Sequence, residues 1–126
     1  MTKDGEIYSD GMDSVVIRRK GAEIIGGRTL DVSGFPDKVI RAGHIIIHET
    51  DTDKWKPLGV KDGAYTALPD GHTYEGVLKA SRPADMPLAP IMYEGEVNDL
   101  ASPYPVTDEI KTAMKEALPG LYFKHD

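Results

Sequence analysis

Apolar residues come in short runs along this chain, and most runs are cut by glycine, proline or a cluster of acids. One stretch, residues 39–48 (VIRAGHIIIH), carries three successive isoleucines. β-Branched side chains pack well on a pleated surface and fit helices less well, so this run predicts a strand buried on both faces. Residues 14–19 (SVVIRR), 22–25 (AEII) and 29–32 (TLDV) predict a lead-in of short strands, with Gly26-Gly27 as a turn and residues 33–37 (SGFPD) as a loop. After the acidic turn at 49–54 (ETDTDK), residues 55–58 (WKPL) and 64–68 (AYTAL) predict further short strands, with KDG and PDG as turns. Turns recurring at such short spacing predict a small barrel or sandwich rather than βαβ units.

Residues 74–98 (YEGVLKASRPADMPLAPIMYEGEVN) organise the second half. Two apolar runs, 76–78 and 88–93, flank a polar loop at 79–86, and each meets a glycine beside a glutamate. They predict paired strands with Gly76 and Gly95 where the backbone turns sharply or is approached closely. Only one segment has the helical period: Ile110, Ala113, Met114 and Ala117 form one stripe within residues 106–118. Thr107 is the expected N-cap, Asp108 and Glu109 suit the first turn, and Pro119-Gly120 ends the helix before a last strand at 121–123 (LYF). The expected fold class is therefore mainly β, with one C-terminal helix. Residues 1–13 (MTKDGEIYSDGMD) offer only Ile7, Tyr8 and Met12 for burial. Such a terminus cannot offset its own ordering entropy, so it is expected to be flexible alone and to order on a partner. The expected organisation is an N-terminal arm and β lead-in over 1–38, followed by one β domain over 39–126.

Composition narrows the classes. A length of 126 residues with 40% hydrophobic and 29% charged residues suits one globular domain. A net charge of −6 argues against nucleic acid as a partner, and Arg18-Arg19-Lys20, the one basic cluster, reads as a solvated strand edge. With no cysteine, disulfide and thiolate chemistry are excluded. The first 13 residues lack the cationic and apolar regions of a signal peptide, and no run reaches the roughly 20 apolar residues of a membrane span.

Candidate chemistry is thin. His44 and His48 share a face if both lie in one strand, but no third ligand follows at a metal-site spacing, so two partly exposed strand histidines are expected. Asp51, Asp53 and Asp62 depart from a calcium loop, which would need a closing glutamate. Glu94 and Glu96 could do acid–base work only with a nucleophile or partner histidine, and a strand end or salt bridge fits better. Trp55 and the tyrosines could form a sugar platform, although singly placed aromatics are more often core or interface residues. No nucleophile elbow or phosphate-cradling glycine loop is present. No enzyme activity, cofactor or metal is expected.

The succession of segments is more informative. AGHII at 42–46, WKPL at 55–58, EGVL at 75–78 and APIMYEGEVN at 89–98 precede a helix and a final apolar strand. In this order they resemble the head decoration proteins of tailed phages, over residues 39–123. The resemblance implies a small β-tulip or β-clip fold with one helix. It further implies a homotrimer on the outside of the virion that binds the major capsid protein and stabilises the shell, without cofactor, nucleic acid or membrane. Gly43, Gly76, Gly95 and Glu96 carry the structural motif. The N-terminal arm would add a strand to the capsid protein, with Ile7, Tyr8, Val15, Val16 and Ile17 as contacts. Two other readings are a small ligand-binding or enzymatic β-barrel with an inter-subunit site, motivated by His44, His48, Glu94 and Glu96, and a carbohydrate-binding adhesin using Trp55.

Overall fold

The computed structural model describes residues 13–125. A helical turn, α1 (Asp13–Val16), leads into β1 (Ile17–Lys20). Next come β2 (Arg28–Thr29), β3 (Val39–Ile40), β4 (Ile45–Glu49) and β5 (Lys54–Pro57). The hairpin β6 (Val60–Lys61) and β7 (Ala64–Tyr65) precedes the long β8 (His72–Leu78) and β9 (Arg82–Pro83). Then β10 (Leu88–Ala89), β11 (Ile91–Met92) and β12 (Gly95–Asn98) lead to the helix α2 (Asp108–Ala117) and the closing β13 (Leu121–Lys124). Strand covers 39% and helix 12%, so the fold is mainly β: a curled half-barrel sheet with one short C-terminal helix.

Two sheets position everything else. The first has the order β11-β8-β4-β5, and the second runs β1-β12-β13, with β12 antiparallel to β1 and parallel to β13. The pairs β2/β10, β3/β9 and β6/β7 close the remaining gaps. Strand β4 is buried on both faces, as its three isoleucines predict. Ile45 and Ile47 enter a core with Val77, Met92, Val97 and Met114, while Ile46 enters a second cluster with Leu30, Ile40, Leu78 and Ile91.

Several expected boundaries move. The strand expected over 14–19 begins only at Ile17, because Asp13–Val16 coils into a helical turn. The strand expected over 22–25 reduces to a single bridge from Glu23 to Met92. The run 39–48 is broken between β3 and β4, where Gly43 takes φ 90° and the His44 amide donates to the Arg41 carbonyl at 3.1 Å. Pro90, with no amide proton for a ladder, likewise separates β10 from β11. The lead-in is not a separate region: β1 and β2 pair with β12 and β10, so residues 17–29 belong to the same half-barrel. Residues 1–12, which include most of the expected arm, lie outside the described residues.

The helix forms where its periodicity placed it. Thr107 is the N-cap, its hydroxyl accepting from the Ile110 amide at 3.3 Å. Met114 is buried and Ile110 and Ala113 pack beside it, whereas Ala117 stays exposed. Among the described residues no helix is long and apolar enough to cross a membrane.

Candidate docking surface at the N-terminal edge

The described chain begins at a clamp. Asp13 accepts from the Ser81 amide at 3.0 Å and from the Ser81 hydroxyl at 2.7 Å, and the same hydroxyl accepts from the Ala42 amide at 2.9 Å. A serine 6% exposed thus ties three segments together. One turn later, Val16 fills the space where a side chain on Gly43 would stand. Ile17 then pairs with Val97, and a bulge between Ile17 and Arg19 turns β1 along β12.

These contacts sort the residues expected to bind a capsid. Ile7 and Tyr8 lie outside the described residues. Val15 is 45% exposed and faces outward, but Val16 and Ile17 are 4% and 5% exposed. The latter two side chains are therefore corrected from partner contacts to core residues, since a group buried in its own molecule cannot fill a neighbour's pocket. What this region presents at the surface is β1 itself, an edge strand of its sheet that carries Arg18, Arg19 and Lys20 outward.

The motif residues are backbone and edge fixtures. Gly76 has φ 151° and Gly95 φ 142°, conformations L side chains rarely adopt. A side chain on Gly76 would run into the Met92 carbonyl, and one on Gly95 would come within 2.5 Å of the Arg19 carbonyl. The first glycine lets β8 approach β11, and the second lets β12 approach β1. Gly76 also sits at the irregularity where β8 shifts its register against β4, with Ile46 opposite Gly76 and Ile47 opposite Tyr74. Glu96 pairs with Arg19 across the strands at 3.2 Å.

The candidate chemical groups are kept apart. His44 is fully buried rather than partly exposed, a correction that follows from the break before β4. Its Nε2 donates to the Leu58 carbonyl at 2.9 Å, and its ring lies edge-on to Phe35, Tyr65 and Tyr104 at centroid distances of 5.4, 5.1 and 5.7 Å. Nδ1 has no partner among the described residues. Burial pushes the imidazole down to about 4, against the opposing pull of the Leu58 carbonyl. Burial also raises the Tyr65 phenol, which accepts from the Ile45 amide at 3.2 Å. His48 instead donates to Asp53 at 2.6 Å and packs against Trp55 with the rings tilted by 44° and centroids 4.7 Å apart. The Arg28 guanidinium covers the Trp55 ring at 5.3 Å, so the indole is occupied within the chain. Glu96 lies in β12 of the second sheet, with Glu94 just before it, whereas His48 lies in β4 of the first, with His44 just before that strand. Among the described residues no three His, Cys, Asp or Glu side chains gather closely enough to hold a metal ion.

Two features escaped the sequence reading. Asp13 and Ser81 are 68 positions apart, and no local pattern links them. Asp99, 8% exposed, accepts from Lys111 at 2.6 Å and His125 at 2.8 Å, fastening α2 and the chain end beyond β13 to one carboxylate. Burial opposes its ionisation, but those two hydrogen bonds prevail and hold it at about 2. In the sequence Asp99 is only one more acid after the GEVN segment, and nothing local marks it as buried. No protein-family model, curated protein or solved structure matches this chain.

Proposed function

We propose that this chain is a decoration protein of a phage or prophage capsid, seated as a homotrimer on the outside of the shell. The observation that carries this reading is where the resembling segments fall. AGHII and WKPL meet as the β4/β5 pair, EGVL lies beside β4 as β8, and APIM returns against β8 as β11. GEVN becomes β12, and the strand after the helix pairs with it in parallel. Segments that succeed one another in the sequence thus build one small half-barrel, with Gly76 and Gly95 at its tightest approaches.

The activity is binding rather than turnover. Asp13 is anchored to Ser81, and β1 after it to β12, so a load applied at this end of the described chain is carried into the core. Main-chain pairing to an open sheet edge supplies affinity, and three arms on one trimer raise one another's effective concentration. The net charge of −6 suits an exterior position, repelled by the packaged DNA. The major capsid protein is the partner, and the protein is made in the bacterial cytoplasm before joining the virion.

The test is co-sedimentation with expanded capsids from the phage that encodes the chain. Removing residues 1–12 should abolish attachment and leave the melting temperature unchanged. A larger deletion through residue 19 is unsuitable, because it removes Val16 and Ile17 from the core. Undiminished attachment after removal of residues 1–12 overturns the arm mechanism, and failure of the intact chain to attach overturns the function.

A further inference from the structure

A cleft of about 320 Å³ opens over the polar end of the first sheet, between β5, the β6/β7 hairpin and the loop at 31–36. That volume lies within the range of small-ligand sites. Buried Ile47 borders it, together with Phe35, Pro57 and Pro69. Lys56, His72, Thr66, Asp31 and Ser33 line the same space. Alternation along β5 sends Lys56 to this side of the sheet and Trp55 to the other, where the indole packs on the Ile46 cluster. A cross-strand ion pair accounts for Lys56 and Glu49, but it leaves the space beside them open.

The polar groups of the cleft are held before anything binds. The Lys56 ammonium donates to Glu49 at 2.9 Å and to Nε2 of His72 at 3.3 Å, which leaves the third of its N–H groups. His72 accepts there because its Nδ1 lies 2.9 Å from the Asp70 carbonyl; a carbonyl only accepts, so Nδ1 carries the proton. The remaining groups present lone pairs. The Thr66 hydroxyl gives its proton to the Gly59 carbonyl at 3.2 Å, and the Ser33 hydroxyl gives its own to Asp31 at 2.7 Å. The Ser33 bonds also hold the Asp31 carboxyl below its usual range, so it stays an acceptor. On the apolar side, the Phe35 ring is fixed edge-on to His44 at 5.4 Å.

The balance of charge and hydrogen-bonding groups selects the ligand. Lys56 is offset by Glu49, and Asp31 faces Lys54 at 3.7 Å, so a ligand of either net charge gains little. A wholly apolar ligand would strip water from the Lys56 N–H and from the Asp31 and Thr66 oxygens without replacing it. The molecule that suits the cleft is neutral, carries several hydroxyls that both donate and accept, and has a C–H face for the Phe35, Pro57 and Pro69 rings. An amide offers one donor group and one acceptor, whereas a pyranose offers several of each beside such a face.

We propose that this cleft binds one neutral pyranose residue. One ring hydroxyl accepts from Lys56, others donate to Asp31 and Thr66, and the C–H face of the sugar lies against the proline-lined wall. None of the lining residues belongs to α1 or β1, so the site stands apart from the capsid reading.

The experiment titrates the isotope-labelled intact chain, by amide NMR, with the methyl glycosides of glucose, galactose, mannose and N-acetylglucosamine. At least one should shift the amides of residues 31–36, 56–60 and 66–72 saturably, with a Kd of about 1 mM, as suits a ligand of this size. Val60→Trp fills the cleft without removing any of its side-chain hydrogen bonds, and should abolish those shifts at an unchanged melting temperature. Lys56→Met keeps the apolar stem but not the donor, and should weaken binding at least about 10-fold. Should that variant fold poorly, Val60→Trp decides alone. Shifts that survive Val60→Trp place the sugar elsewhere and overturn the site, and so does the absence of cleft shifts with all four glycosides. Cleft shifts from acetate, cyclohexanol or N-acetylprolinamide, with none from a glycoside, would give the cleft to an anion, an apolar molecule or an amide and likewise overturn the proposal.

Discussion

The two sheets are built on opposite terms. In β11-β8-β4-β5 the central strand β4 is covered on both faces, so its isoleucines answer to packing alone. In β1-β12-β13 one side of each strand is wet, and adjacent strands meet through pairs such as Arg19 with Glu96. The comparison separates what holds the fold from what is offered outward. Apolar burial makes the first sheet the structural spine, while the second ends in β1, an edge strand that turns its three basic side chains outward.

The sharpest way to break that contrast is to cut into the spine. Ile46→Ala removes a fully buried side chain from the smaller cluster and should cost about 2–5 kcal/mol, measured by chemical denaturation. A loss below about 1 kcal/mol would mean that the cluster collapses around the cavity and that β4 is not the spine.

His44 probes the seam beneath the spine through pH. The folded chain holds its imidazole neutral down to about 4, whereas the unfolded chain takes a proton near 6.5. The unfolded state therefore binds more protons between those values, and stability falls as pH drops from about 6.5 to about 4, by about 3 kcal/mol in all. His44→Leu should flatten that part of the pH profile. At pH 7 it should still cost about 1–3 kcal/mol, because the buried Leu58 carbonyl loses its donor. An unchanged slope between pH 6.5 and 4 would remove His44 as the cause.

The smallest effect belongs to the second sheet. The Arg19 side chain is 52% exposed and its Glu96 partner 25% exposed, so Arg19→Ala should cost less than about 1 kcal/mol, and less again in high salt. A loss comparable to that of Ile46→Ala would show that the outer sheet also carries the fold.

Much of this architecture was legible in the residues. Three consecutive isoleucines announce a strand buried on both faces because no other environment accommodates β-branched side chains pointing both ways. Thr107 announces the helix start because its hydroxyl satisfies an amide no helical carbonyl can reach. Gly76 and Gly95 stood out beside their glutamates, and the structure gives the reason in their φ angles and crowded carbonyls. Residues 14–19 were misread because Val15 and Val16 have strand propensity, yet the Asp13–Ser81 bonds and the seat at Gly43 bend that stretch into a turn. Tertiary contacts overrode propensity there, and at His44 they buried a ring expected to be partly exposed.

The sequence by itself therefore determined the mainly β class, the single C-terminal helix and the glycine fixtures, because each depends on neighbours within a few residues. Only the tertiary structure decided that Val16 and Ile17 face inward, that His44 is sealed among aromatic rings, and that Asp31, Lys56 and Thr66 line one cleft. Burial and pairing between distant segments are properties of the folded surface, and no local pattern of side chains encodes them.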